Sequence, residues 1–367
     1  MRCFNRLWVA GELSLALALS ACGGGGGSTP PPTPAPNPLF VATNGSDTNL
    51  GDAAHPLSSI TRAAAAAANG YTIVVAPGTY RQTVTTERHG TLEPKGLTFI
   101  ADVTGDRTGR GAGPVIIDAS SLGGAIVFKL ANTPMTAMDG FTIIGGPGKK
   151  GIVVSSDSTD AQVRNCIVHD NGDDGIAVQD SSSVLIFNNL VYNNTGAGVS
   201  IGGKSIGSAQ AHIINNTIFG NRFRGIDVGT TTKASPNAFI RNNIVQNNGH
   251  DFNIKVFTLP NPDSLATYDA DFNLVFPATY SEHQAAGIHD IGLDAKFVDV
   301  NVADFHLRGS SPAINAGDSL NGLQALANAL RNLTTTGGTN CDKSAIDIGY
   351  HYPPSGRCTA VSSSAGQ

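Results

Sequence analysis

Charge is scarce in this 367-residue chain: Asp, Glu, Lys and Arg together make up 14% of it. There is one Trp, aromatics are 6%, and no basic excess exists to offset a formal net charge of −5. A chain with neither a basic face nor basic–aromatic interleaving is a poor partner for nucleic acid. Long amphipathic helical patterns are almost absent, which excludes a helical bundle. Cysteine is also sparse, at five residues, and no Cys/His spacing suggests zinc. What the chain has in quantity is Gly, 44 residues, together with abundant Asn and short apolar runs. That profile fits repetitive β structure.

The ends are distinct from the middle. Residues 1–21, "MRCFNRLWVAGELSLALALSA", read as a signal peptide: Arg2 and Arg6 precede an apolar core, Leu13 to Ala18, too short to span a bilayer. The segment ends in Leu19-Ser20-Ala21-Cys22, similar to the lipobox of bacterial lipoproteins, which implies acylation of Cys22. Residues 22–38 follow as a Gly/Pro-rich tether, flexible in its Gly run and extended in its Pro run, suited to holding a domain off a membrane. The expected location is the bacterial outer membrane or cell surface, with the lipid as the sole membrane contact. Loss of residues 1–21 removes two Arg and one Glu and moves the net charge to about −6. Of the remaining cysteines, Cys166 lies in an apolar run and reads as a buried free thiol. In an exported chain Cys341 and Cys358 can pair and staple the C-terminal tail.

The middle repeats. "NCIVHDNGDDGIAV" from Asn165, "NNLVYNNTGAGVSI" from Asn188, "NNTIFGNRFRGIDV" from Asn215 and "NNIVQNNGHDFNI" from Asn242 superimpose, with a fainter copy from Asp139. The steps between them are 26, 23, 27 and 27 residues. Such a period, with three short strands per turn, predicts an all-β right-handed parallel β-helix, whose rungs stack at ~4.8 Å and bury a continuous core. Ile152, Ile176, Val199 and Ile226 form one predicted inward column, and Val154, Val178, Ile201 and Val228 another. Val153, Ala177 and Ser200 face outward. Asn at equivalent turns stacks as a ladder, and the glycines at 151, 175, 198 and 225 are expected to take positive φ. Earlier rungs are read at 72–80, 96–102, 114–120 and 125–131. Before them "SSITRAAAAAANG" predicts a capping helix, started by Ser58 or Ser59 and ended by Gly70. The β-helix with its cap spans residues 39–256, and residues 257–367 supply C-terminal rungs and a closing segment.

The stretch from Leu39 to Tyr80, "LFVATNGSDTNLGDAAHPLSSITRAAAAAANGYTIVVAPGTY", resembles the N-terminal module of secreted bacterial β-helix proteins, including the pectate lyases of polysaccharide lyase family nine. "DAKFVDVNVADFHLRGSSPAINAGD…DIGYHY", residues 294–352, resembles the closing segment of many surface-anchored β-helix proteins. The lyase resemblance implies a cluster of Asp holding calcium and a Lys as base. Calcium binds the uronate carboxylate and the base takes the C5 proton. Asp173-Asp174-Gly175 matches the family's acidic turn, but the later acid of that rung is Ala177. The upstream acid falls near Lys149 and Lys150, and the catalytic Lys position holds Ser200. The basic-Gly-apolar-Asp segment is kept as Arg224-Gly225-Ile226-Asp227.

Two carboxylates from one turn are few for an ion that wants six to eight oxygens. A polar turn with incidental Asp therefore outweighs the metal reading, and no cofactor is expected beyond weak calcium. Lys150, Arg222 and Arg224 project from nearby turns and, with Asp227, are candidates for holding an acidic polysaccharide. Arg224 and Lys204 are the candidate catalytic groups, Lys204 as base only if its loop folds back toward Ser200. His169 reads as structural, and Ser200 lacks a His partner. Two classes of function stand: a polysaccharide lyase working by β-elimination, and a non-catalytic surface protein that binds glycan or serves structurally. A monomer is expected in either case.

Overall fold

The computed structural model describes residues 37–86, 96–202, 208–229, 235–249, 252–256, 266–281, 285–339, 341–343 and 345–355. The expectations resting on Cys22, Lys204, Cys358 and residues 1–36 fall outside them.

The described residues form a parallel β-solenoid of three sheets, with nine, seven and eight strands. The chain visits the three sheets in turn. Ala161–Arg164 lies in the first, Ile167–Gly172 in the third and Ile176–Val178 in the second, and each strand pairs in parallel with its counterparts one rung away. The predicted columns are in register: Ile152, Ile176, Val199 and Ile226 on one line, Val154, Val178, Ile201 and Val228 on the next, all within the core. Cys166 is a buried free thiol, and burial pushes its pKa up to about 12.

The Asn-Asn doublets have a two-part explanation. The first member of each, Asn188, Asn215 and Asn242, and Asn165, which precedes Cys166 instead, sit at φ of 54 to 58°, the left-handed region that Asn tolerates better than most side chains. This turns the chain from the first sheet into the third. The second member points inward and stacks. Asn189 Nδ2 donates to Asn216 Oδ1, Asn216 Nδ2 to Asn243 Oδ1 and Asn243 Nδ2 to Asn273 Oδ1, at 2.9 to 3.0 Å. A second ladder at the next corner runs Asn171, Asn194, Asn221, Asn248. Each of these too follows a left-handed residue: Asp170, Asn193, Gly220 and Asn247.

The glycines before the second sheet are therefore not the turning residues. Gly151, Gly175, Gly198 and Gly225 are absent from the positive-φ positions. A Cβ at Gly175 would lie 2.7 Å from a Val191 methyl and 2.9 Å from Asn194 Nδ2. They are glycine because the inner ladder leaves no space there.

The N-terminal helix is Ile60–Ala66, capped by Ser59, whose hydroxyl accepts from the Arg62 N–H. It stops at Ala67, three residues short of Gly70, because Ala67 turns to extended backbone and is itself buried. Ile60, Ala63 and Ala64 close the end of the core beside the edge strand Leu39–Val41.

The C-terminal part first extends the solenoid. Among the described residues, Thr267–Asp271 and Leu274–Phe276 continue it as strands, and Tyr280 and Ile291 as single parallel bridges. The chain then folds back over the outside. Phe297, Phe305, Leu307, Ile348 and Tyr350 pack on Leu190, Ile244 and Leu274, the outward residues of the third sheet. Leu320, Ala327, Leu330 and Ile346 pack on Phe187 and Ile214, outward residues of the first. The helix Gln324–Leu330 belongs to this cover and was not foreseen. The left-handed asparagines fasten the cover: Asn188 Nδ2 donates to His351 O, Asn215 Nδ2 to Asp347 O and Asn242 Nδ2 to Asp318 O. Neither apolar cluster of this cover includes a residue of the second sheet.

Candidate functional site

The outward column of the second sheet reads Lys129, Val153, Ala177, Ser200, Asp227 and Lys255, each paired with the next across one rung. Alternation along each strand sends these side chains away from the core. The entries to these strands add Lys149 and Lys150, Asp173 and Asp174 on the next rung, and Arg222 and Arg224 two rungs further on. The stacking of the solenoid thus gathers on one side groups as far apart in sequence as Lys129 and Lys255.

Two ion pairs organise the face. The Lys150 ammonium lies between two carboxylates, 2.9 Å from Asp173 Oδ2 and 2.5 Å from Asp174 Oδ2. Asp174 Oδ2 also accepts from the Ser200 hydroxyl, and Oδ1 from the Ala197 N–H, both at 2.9 Å. Asp173 Oδ1 accepts from the Asp174 N–H. Burial alone would lower the Lys150 pKa, but Asp174 and then Asp173 outweigh it, and the value sits above the ordinary one. The ammonium stays protonated. In the second pair Arg224 Nη1 is 2.9 Å from Asp227 Oδ2, and its guanidinium lies 3.9 Å from the centre of the Phe223 ring. Burial raises the Asp227 pKa, with the Arg224 charge opposing and Asp174 adding to the rise.

Of the residues singled out from sequence, the structure brings Lys150, Asp173, Asp174, Ser200, Arg224 and Asp227 to this face. It does not present Lys150 and Arg224 as open cations for a polyanion, since each is already paired with Asp. Arg222 is exposed and makes no ion pair among the described residues. His169 stacks on Tyr192 with ring centres 4.8 Å apart and contacts Asp170 through Nδ1, a structural role.

One cluster escaped the sequence reading. Asp342, Asp347 and His351 meet beneath the C-terminal cover. His351 Nδ1 is 2.9 Å from Gly349 O, to which it can only donate, and Nε2 is 2.8 Å from Asp342 Oδ2. Asp347 accepts from the Thr335 hydroxyl and the Asn315 N–H, and Asp342 Oδ2 accepts the Asp347 N–H. Cys341, the neighbour of Asp342, is disulfide-bonded. The residues lay in the quoted closing segment, but nothing in their spacing indicates that they meet.

The chain was compared with known proteins. Residues 39–197 match the family model described as "Pel9A-like, right handed beta helix region". No curated protein matches. Among solved structures, a crystal structure of pectate lyase Pel9A is 16% identical, with TM-score 0.49, over 86% of this chain and 96% of that one. A rhamnogalacturonan lyase is 14% identical, with TM-score 0.42, over 76% and 94%. Residues 39–197 of this all-β solenoid are thus similar to a Pel9A-like right-handed β-helix region.

Proposed function

We propose that this protein is a lipid-anchored surface β-helix that binds an acidic polysaccharide along the outer face of its second sheet, without the calcium-dependent elimination of a pectate lyase. The observation that carries this is the placement of the C-terminal cover. It lies over the outer faces of the first and third sheets, and the outward column of the second, polar at Lys129, Ser200, Asp227 and Lys255, stays outside its apolar clusters. Along that column and its entry turns, Lys129, Lys150, Arg222, Arg224 and Lys255 stand against Asp173, Asp174 and Asp227. Of these cations, Arg222 is exposed and makes no ion pair among the described residues. Local positive charge of this kind favours a polyanion over a neutral glycan.

Elimination from a uronate needs an unprotonated base at the C5 proton. On this face the Lys150 ammonium is held charged by two carboxylates, and the Ser200 hydroxyl donates to Asp174. Arg224 is paired with Asp227 and permanently protonated. Electrophoresis through gels containing uronate polymers, with EDTA present, tests the reading. Retardation by at least one uronate polymer but not by a neutral glucan is expected, with no ultraviolet-absorbing unsaturated uronate formed from polygalacturonate. Equal mobility in every gel, or unsaturated product, contradicts it. The anchor has its own test: Cys22→Ser should leave the membrane fraction or keep its signal uncleaved, and a native protein that carries no lipid in mass spectrometry rules the anchor out.

A further inference from the structure

The turn at Asp173 and Asp174 is where the resemblance to pectate lyases puts a calcium ion. The residues present do not fit one. All four carboxylate oxygens already accept from protein donors: Asp173 Oδ1 from the Asp174 N–H, Asp174 Oδ1 from the Ala197 N–H, and both Oδ2 atoms from Lys150. Calcium takes six to eight oxygens, whereas the neighbouring outward positions Val153 and Ala177 are buried and without a side-chain oxygen, and Ser200 adds one hydroxyl, already donated to Asp174 Oδ2. A divalent ion placed between the same two carboxylates would meet the ammonium at contact distance, where like charges repel strongly.

We propose that Lys150 is the resident cation of this site: a tethered ammonium that does for Asp173 and Asp174 what a divalent ion would otherwise do. Two consequences follow. The face needs no added metal. The turn also carries one net negative charge rather than none, because one ammonium faces two carboxylates. On the reading that the face holds an acidic glycan, the uronate carboxylates are then steered away from this turn and toward the exposed Arg222, two rungs along.

The test uses calcium alone, so its outcome is independent of any glycan. Calcium is titrated by calorimetry into the mature protein and into Lys150→Met, and thermal midpoints are read in EDTA and in calcium. The wild type should show no saturable uptake tighter than about 1 mM, the range of the weakest extracellular sites, and no midpoint shift. Lys150→Met should melt several degrees lower in EDTA and regain most of the loss in calcium, by mass action on the folded state. If the variant folds only when refolded in calcium, that recovery is the same result. Micromolar uptake by the wild type that Asp173→Asn/Asp174→Asn abolishes would overturn the proposal. So would a Lys150→Met protein that behaves alike in EDTA and in calcium.

Discussion

Asn216→Ala should lower the unfolding free energy by about 3–5 kcal/mol, well beyond the ~1–3 kcal/mol expected of Asn215→Ala next to it. The two asparagines are adjacent, and both are fully buried. Their duties differ. Asn216 Oδ1 accepts from both the backbone N–H and Nδ2 of Asn189, and Nδ2 donates to Ile186 O, Ile214 O and Asn243 Oδ1. Alanine there strands the Asn189 N–H and the Ile186 carbonyl inside the solenoid, each costing roughly 1–3 kcal/mol. It also opens the ladder between neighbouring rungs. Asn215 makes one bond to Asp347 O and a longer one, 3.3 Å, from Asn242, and it holds φ at 54°. Its loss acts mainly on the turn and on the docking of the C-terminal cover. Urea unfolding of both variants measures the difference. Equal losses would mean that the inner ladder does not run through Asn216.

His351→Ala should cost about 3–5 kcal/mol at neutral pH, the usual penalty for breaking a buried ion pair by removing one partner. The imidazole is fully buried, the Asp342 side chain is 2% exposed, and the backbone of His351 exchanges two hydrogen bonds with the Asn188 amide. Without the ring, Asp342 faces Asp347 with no compensating charge. Burial, then Asp342, raises the Asp347 pKa, while His351 pulls it down. A carboxyl raised on folding contributes stability below its unfolded value and loses it as pH rises through the folded one. Urea unfolding of wild type and variant at neutral pH measures the loss. A loss within about 0.5 kcal/mol, the usual range for surface sites, would contradict the expectation.

The solenoid was legible because its signal is periodic. Apolar residues at Ile152, Ile176, Val199 and Ile226 recur at rung spacing, and no other architecture stacks them. The Asn doublets were visible as repeats, but their division of labour was not. Only backbone geometry shows that Asn215 turns while Asn216 stacks, or that Gly175 is small to clear Val191 and Asn194 rather than to reach positive φ. The closing segment was recognisable by resemblance, but its path over the outer faces of two sheets was not, because it does not repeat. Leu320, Leu323, Ala327 and Leu330 carry a short helical spacing that is easily passed over in a β-rich chain. At the candidate site the residue types were legible, yet their pairing was not. Lys150 and Asp174 are 24 positions apart, and only the rung register shows that they touch.

The central claim is that the outer face of the second sheet holds the polysaccharide. Ser200 stands mid-column on that face, flanked by Ala177 and Asp227, and an indole there would obstruct a chain lying along the rungs. Val302 lies in the C-terminal cover, 73% exposed, away from that column. Affinity electrophoresis in EDTA on the retarding polymer should show Ser200→Trp losing most of its retardation, on the order of tenfold in affinity or about 1.4 kcal/mol, and Val302→Trp keeping the wild-type value. Retardation of Ser200→Trp equal to wild type would place the polysaccharide elsewhere on the protein and contradict the account.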